Sequence, residues 1–565
     1  MKRIIGSSTA AASSPRLKRP FLRQAAHDRR GERSLSSAGV ILASAALFAL
    51  LLWLPGETVT TAYLNDLFIF LDGAYRIVSG QVPSRDFHTA LGPLSFYVPA
   101  LGYWISGTLG GAMPTGMAAT TVALALPMAH IFSSRLRPAV AIPFGIFVLL
   151  IVAVPTNLGE GIASLSFAMF YNRIGWAALA TLLVMYLRPE RISAGQNLLD
   201  ALCAAGLTLA MVYIKATYGL VALAFLAFML FDKHQRRWAL MALGLTLACA
   251  LVIELFWQGT RAHLDDLILT GKVSGSRGMV DLALGFLRHL ADYVILAILA
   301  VPAVWRTRSL RDFLFFGICA GPGLMIQNQN SQPWGIITIF AGAAVAAEIL
   351  MRTSKQPQPE ARFLTRSGAP LVLLAFLLPT SIHCFMALCV HTTAATMRAG
   401  QPFGLPRFDG LRLTTLWVPG DRSFMTGYLS SIQEGARLLS ELPFKPERVS
   451  VLDFANPFSA GLGLPPPRGD NAWLHWGRNV NDAHFLPPEQ LLGDVDVLME
   501  PKWGINNLPL SSLYGSYIRE AFEPVRETDL WIVHRRREPK ALSRSEPSME
   551  PEQLSRVGAG DGISR

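Results

Sequence analysis

The stretch Leu64–Tyr97, LNDLFIFLDGAYRIVSGQVPSRDFHTALGPLSFY, sets three aspartates and a histidine between two apolar segments. Carboxylates are costly near hydrocarbon, so a carboxylate-rich loop clamped between membrane helices reads as a site. The surroundings make that setting real. Of 565 residues, 51% are apolar and 16% charged, against roughly 25% charged in soluble chains. Apolar runs fall near 38–54, 93–109, 115–132, 139–154, 172–187, 198–214, 217–231, 239–256, 291–305, 312–327, 335–351 and 370–394. Most reach the about 17–25 residues that cross a ~30 Å hydrocarbon core. The fold class is mainly α, a polytopic helical membrane protein of about 11–12 apolar segments.

The net charge of +11 does not point to nucleic acid, because of where it lies. Nine basic residues from Lys2 to Arg33 precede the first run, and others cluster at 135–137, 188–191, 233–237, 306–311 and 352–355. This is the bias that orients membrane helices, with basic loops cytoplasmic. Alternation then requires 93–134 to cross once, and 93–109, carrying Pro93, Pro99 and Gly102, is the segment that does not span. Eleven spans follow. The outer face receives 55–92, 155–171, the Lys215–Tyr218 turn, 257–290, 328–334 and everything beyond about 396. The five cysteines all lie in apolar runs and form no disulfide or metal-ligand spacing. Residues 1–36 read as a disordered basic cytoplasmic leader before a retained first helix, and 37–396 as the transmembrane domain.

From 397 to 537 apolar density falls and Pro, Asp, Asn and Trp rise. The runs VSVLDF (449–454), VDVLME (495–500) and LWIVHR (530–535) are strand-like, with helices expected at 423–442 and 511–523. This predicts a small outer α/β domain, followed by a polar tail over 538–565 that reads as disordered.

In the first outer loop DLFIFLDGAYRIV has helical amphipathic spacing, suited to lying on a membrane surface. Asp66 and Asp72, six apart, fall on different faces. The pattern of an acidic residue, Tyr75, Gly80, Pro83, Arg85-Asp86-Phe87 and Gly92-Pro93-Leu94 before Tyr97 resembles the first periplasmic loop of GT-C glycosyltransferases. More narrowly, it resembles the bacterial branch related to protein O-mannosyltransferases and the lipid A aminoarabinose transferase. The layout matches over roughly 38–260. The resemblance implies transfer of a monosaccharide from a polyprenyl-phosphate donor to an envelope glycan, lipid or protein at the outer face of the inner membrane. It implies membrane lipid and that donor as partners, with no nucleic acid. The family carries Asp-Glu or a lone Asp where this chain reads Asn65-Asp66, so no metal ligand is assigned and a divalent metal stays open.

Sugar transfer needs a carboxylate to take the acceptor's proton and cations to hold the leaving phosphate. Asp66 is the candidate base and Asp86 the alternative, with His88 in support. Arg85 either contacts phosphate or pairs with Asp86. Lys215 ends an apolar run on the outer side, against the charge bias, and the resemblance makes it a phosphate ligand. Interfacial snorkelling is the plainer reading. Glu160 is the only carboxylate of the second outer loop. Arg173 either binds phosphate or pairs with Glu160 or Asp66. The amides of IQNQNSQPW, Asn328 and Asn330 among them, suit a hydroxyl-rich ligand or helix capping. The 257–290 stretch, with His263, Asp265, Asp266 and Arg277, reads as a mobile polar lid. Trp473, Trp476 and Trp503 offer a sugar platform or simple packing. A transporter of lipid-linked sugars or a non-catalytic assembly protein would share the scaffold.

Overall fold

The computed structural model describes residues 36–275, 278–329, 332–353, 368–417 and 422–537. All of the expected leader but Ser36, and the tail over 538–565, lie outside them. Each apolar run forms a helix. Five are long and apolar enough to cross a membrane: Leu109–Arg135, Gln196–Ile214, Arg236–Trp257, Leu290–Thr307 and Gly368–Thr396. Three others are apolar but shorter, at Ser37–Trp53, Pro138–Ala153 and Ala216–Met229. The protein is a multi-pass helical membrane protein. Leu94–Ser106 has 13 residues, about 20 Å of helix, which is too short to span. It folds back on Leu109–Arg135, where Gly102 and Gly116 let the backbones touch: a Cβ on Gly102 would lie 1.9 Å from the Ala112 carbonyl oxygen.

The five basic loops meet at one end of the bundle. Arg135 bonds the Leu187 carbonyl at 3.1 Å, Arg188 and Arg311 share Asp232 at 3.1 and 2.8 Å, and Arg352 bonds the Arg188 carbonyl at 3.1 Å. Buried acids compensate the cations, Asp200 with Arg135 at 2.6 Å and Glu348 with Arg352 at 3.0 Å.

The polar end is built differently from expectation in three respects. First, the amphipathic helix forms at Leu64–Val78 but does not lie on a membrane surface. From Leu64 to Ile77 every residue except Asp66 is buried. Phe70 packs on Phe96 and Phe170 of the bundle, while Phe68 packs on Phe403, Phe408 and Tyr428 of the C-terminal region. The second apolar cover is supplied by sequence more than 330 positions away. Second, 257–290 is not an irregular lid but two helices, Thr260–Ser274 and Met279–Arg288, broken at Gly275 with φ +64°. Arg277 lies outside the described residues. Third, the chain beyond the last long helix is stitched into the first outer loop. Strand β1 (Thr58–Thr60) pairs in parallel with β3 (Leu411–Leu413), which pairs antiparallel with β2 (Gln401–Pro402).

The C-terminal region carries a four-stranded mixed sheet. Its strands are β4 (Val449–Val451), β5 (Val497–Pro501), β6 (Phe522–Glu527) and β7 (Trp531–Arg536), in the order β4-β5-β7-β6, with β4 and β5 parallel. Helices Arg422–Ser440 and Asn507–Ala521 accompany it. β6 was not anticipated: its FEPVRE is charged and five of its six residues are exposed, so it lacks an apolar face.

One guanidinium joins this region to the first outer loop. Arg76, fully buried, donates from Nε to Asp72 at 2.6 Å and from Nη1 and Nη2 to Asp470 at 2.7 and 2.9 Å. Nη1 also donates to the Pro467 carbonyl at 2.8 Å. Around it Gly469 N bonds Asp86 O, His88 N bonds Asp470 O, and Ala472 N bonds His88 O. Burial pushes the Asp72 carboxyl up to about 6, and Arg76 opposes that shift. Removing one member of such a buried group costs about 3–5 kcal/mol. Arg76→Met is therefore expected to lower the unfolding temperature sharply at pH 8, and less at pH 5 where Asp72 can take a proton. Thermal unfolding in detergent at the two pH values checks this.

Candidate functional site

Asp66 lies in the first turn of Leu64–Val78. The residue before that helix, Tyr63, takes a left-handed conformation (φ +56°), and its hydroxyl donates to Glu160 Oε1 at 2.8 Å. Asp66 keeps a window to solvent while protein surrounds it closely. Burial pushes its carboxyl up to about 7. Two tyrosines from different parts of the chain face it. The charge of Asp66 reaches the Tyr171 hydroxyl. It also reaches that of Tyr428, whose phenol is held well above its ordinary range by burial and by Asp453 and Asp66.

Lys215 interrupts what would be one continuous apolar helix. It is extended (φ −167°) between Gln196–Ile214 and Ala216–Met229, outside both. The break is held by the loop motif Gly92-Pro93-Leu94. A Cβ on Gly92 would sit 2.2 Å from the Tyr213 carbonyl oxygen, so only glycine lets the loop press against this helix end. Ser95 Oγ then donates to the Ile214 carbonyl at 3.2 Å. Lys215 Nζ donates to Asn172 Oδ1 at 3.3 Å and lies 5.5 Å from the Tyr171 ring centroid. Burial, and then the charge of Arg478 from the C-terminal region, push its ammonium down to about 7. Arg478 also acts on Tyr171. Asp66, Lys215 and Arg478 are therefore gathered around Tyr171: the carboxylate and Arg478 both act on its hydroxyl, Lys215 lies against its ring, and the two cations repel one another. Cations placed to repel one another are an arrangement that an anion relieves.

The other expected residues stand elsewhere. Asp86 accepts from Val82 N at 2.8 Å and from Arg85 and Arg468 at 3.3 and 3.1 Å. It clasps the loop to the C-terminal region, and Arg85 takes the pairing alternative. His88 is pinned between Asp266 at 2.7 Å and Gln490 at 2.7 Å. Glu160 is engaged by Tyr63, and the ring of His383 donates to the Glu160 carbonyl at 2.9 Å. Arg173 is buried against the Thr156 carbonyl at 2.7 Å, and among the described residues it makes no ion pair with Glu160 or Asp66. Asn328 packs near Gly285, and Asn330 lies outside the described residues. Trp503 packs on Phe424 and Trp476 on the sheet core. Trp473 clusters with Phe454 and His475. Among the described residues no group of three or more His, Cys, Asp or Glu is placed to hold a metal ion.

Arg478, Tyr428 and Asp453 were missed as site residues. Arg478 falls in the Trp- and Asn-rich stretch 453–482, but nothing in its spacing marks it.

No protein-family model matches the chain, and no curated protein matches it. Among solved structures, the chain is similar to ArnT from Cupriavidus metallidurans bound to undecaprenyl phosphate, at 12% identity over 89% of this chain and 98% of that one, with a TM-score of 0.46. It is also similar to the Archaeoglobus fulgidus oligosaccharyltransferase in complex with Zn and sulfate, at 12% identity over 84% of this chain and 71% of that one, with a TM-score of 0.37. At these scores neither likeness bears on chemistry, which rests on the residues above.

The raised Asp66 value has a stability consequence with a definite sign. Between pH 4 and 7 the unfolded chain loses this proton while the fold retains it, so stability falls as pH rises through that window. Asp66→Asn is expected to raise the unfolding temperature at pH 8, with the gain shrinking towards pH 5. Paired thermal melts of variant and wild type read the difference directly.

Proposed function

We propose that this chain is an integral membrane glycosyltransferase. It moves a monosaccharide from a polyprenyl-phosphate donor to an envelope glycan, lipid or protein, at the outer face of a bacterial inner membrane. The observation that supports this best is the grouping of Asp66 with Lys215 and Arg478 around Tyr171. It offers a base and a paired cation site at the end of the bundle opposite the basic loops. With those loops cytoplasmic, the site and the C-terminal region are periplasmic.

In this reading an acceptor hydroxyl attacks the anomeric carbon of the donor. The C1–O bond to phosphate breaks, and its electrons leave with the polyprenyl phosphate. Asp66 takes the hydroxyl proton, a task suited to a carboxylate whose pKa sits near the working pH. Lys215 and Arg478 take the charge developing on the phosphate. Asp86 and His88 hold the loop, and Asn328 lies outside this group. A transporter would instead place ionisable groups mid-span. Here Asp200, Asp292, Glu254 and Glu348 sit near helix ends, engaged by Arg135, Trp334, Thr260 and Arg352.

The test is transfer from a panel of labelled polyprenyl-phosphate monosaccharides by purified protein in lipid. Asp66→Asn is expected to lower the rate by about 10²–10⁴-fold, and Lys215→Ala by about 10²-fold. The pH profile of kcat/KM is expected to be a narrow bell near neutrality, with Asp66 setting its acid limb and Lys215 its alkaline limb. Lys215→Arg should abolish the alkaline limb alone, since arginine stays charged. Full activity in Asp66→Asn would take the base away from this residue. No transfer from any donor would favour the non-catalytic assembly role.

A further inference from the structure

A cavity of about 280 Å³ lies between the 155–161 loop and the long helix Gly368–Thr396, lined among others by Thr156, Asn157, Glu160, Trp334, Thr380 and His383. Its chemistry is two-sided. On one wall Asn157 is 2% exposed, and its amide nitrogen has no hydrogen-bond partner. Arg173 does not line the cavity but is bonded to Thr156, which does. Its Nη1 is held by the Thr156 carbonyl at 2.7 Å, and Nε and Nη2 are buried without partners. Its charge is felt at the lining residue Cys384. Among the described residues Arg173 has no carboxylate partner; such a buried cation is costly, and an orphaned amide adds to the cost. An anion in the cavity would relieve both. The lining also holds Glu160, with one carboxylate oxygen engaged by Tyr63, and Trp334. A carboxylate beside an aromatic face is a setting for an ammonium group.

The cavity sits on the membrane flank of the bundle. Pro379 lies inside the long helix and at the cavity. Neighbouring side chains on that helix, Leu374, Leu378, Ile382 and Met386, are exposed, as a lipid-facing surface requires. We propose that this cavity is a binding site for a zwitterionic phospholipid headgroup. The phosphate lies towards Asn157 and Arg173, the primary ammonium lies between Glu160 and Trp334, and the acyl chains run along the exposed face of Gly368–Thr396. The site is separate from the Lys215–Arg478 group: in one helical turn Tyr171 and Asn172 face Lys215, while Arg173 faces Thr156.

The test is native mass spectrometry of the full chain in detergent, titrated with phosphatidylethanolamine, phosphatidylglycerol and inorganic phosphate. Phosphatidylethanolamine is expected to bind about tenfold tighter than phosphatidylglycerol, and inorganic phosphate should displace neither lipid. Glu160→Gln should reduce the preference to near unity. Asn157→Leu and Arg173→Met should weaken both lipids about tenfold. Glu160→Gln is nearly isosteric and carries the test should Arg173→Met fail to fold. Equal binding of the two lipids by the wild type, or a preference that survives Glu160→Gln, would overturn the proposal. Displacement by phosphate alone would assign the cavity to a free anion instead.

Discussion

The buried guanidinium of Arg76 is the constraint on which the outer end of this protein depends. It comes from the first outer loop, and Asp470, which it grips through both oxygens, comes from nearly 400 residues later. Without that grip two buried carboxylates, Asp72 and Asp470, would face each other. With it, the backbone from Pro466 to Ala472 lies along the loop and the C-terminal region settles over the Leu64–Val78 helix. Docking buries Phe68 beneath Phe403 and Phe408, and it brings Tyr428 towards Asp66 and Arg478 towards Lys215 and Tyr171. The near-neutral pKa of Asp66 is therefore a product of docking: the same carboxylate on an uncovered helix would be solvated and ionised well below pH 7.

The chemistry is assembled where the fold accepts local cost. Lys215 breaks a run of apolar residues that would otherwise continue as helix, and Gly92 is the residue whose missing side chain lets the loop hold the break open. Lys215 and Arg478 repel one another, Asp66 is desolvated, and the Asn172 amide nitrogen is buried without a partner. Each of these weakens the fold. On the proposed function the two cations would meet the donor phosphate and Asp66 the reacting hydroxyl, the usual relation between local cost and function.

Much of the membrane part was legible because hydrocarbon imposes a length and a composition that few other settings impose. The twelve apolar runs and the short Leu94–Ser106 segment could be read for that reason. Asp66 and Lys215 stood out because a charge in an apolar background is conspicuous. Arg478 was not legible, since an arginine in a polar domain looks like any other and its significance lies wholly in what it faces. The Leu64–Val78 helix shows a related limit. Its amphipathic spacing revealed one apolar face, but periodicity cannot say whether that face meets lipid or protein, nor that Phe68 will find distant phenylalanines. The glycines of 257–290 suggested a loop. Gly271 and Gly285 are helical all the same, and His263 and Asp266 are used to grip Ser84, His88 and Thr89.

Tyr63 lies between the flank cavity and the residues around Asp66. Its backbone, in a left-handed conformation, starts the helix that carries Asp66, and its hydroxyl holds Glu160 at the rim of the flank cavity. The Phe170–Val184 helix repeats the arrangement from the other side, turning Tyr171 and Asn172 towards Lys215 and Arg173 towards Thr156. Successive residues on a helix are about 100° apart, so one rigid turn presents side chains to both places. The two places therefore share their framework, the start of Leu64–Val78 and the first turn of Phe170–Val184, while their polar side chains point apart.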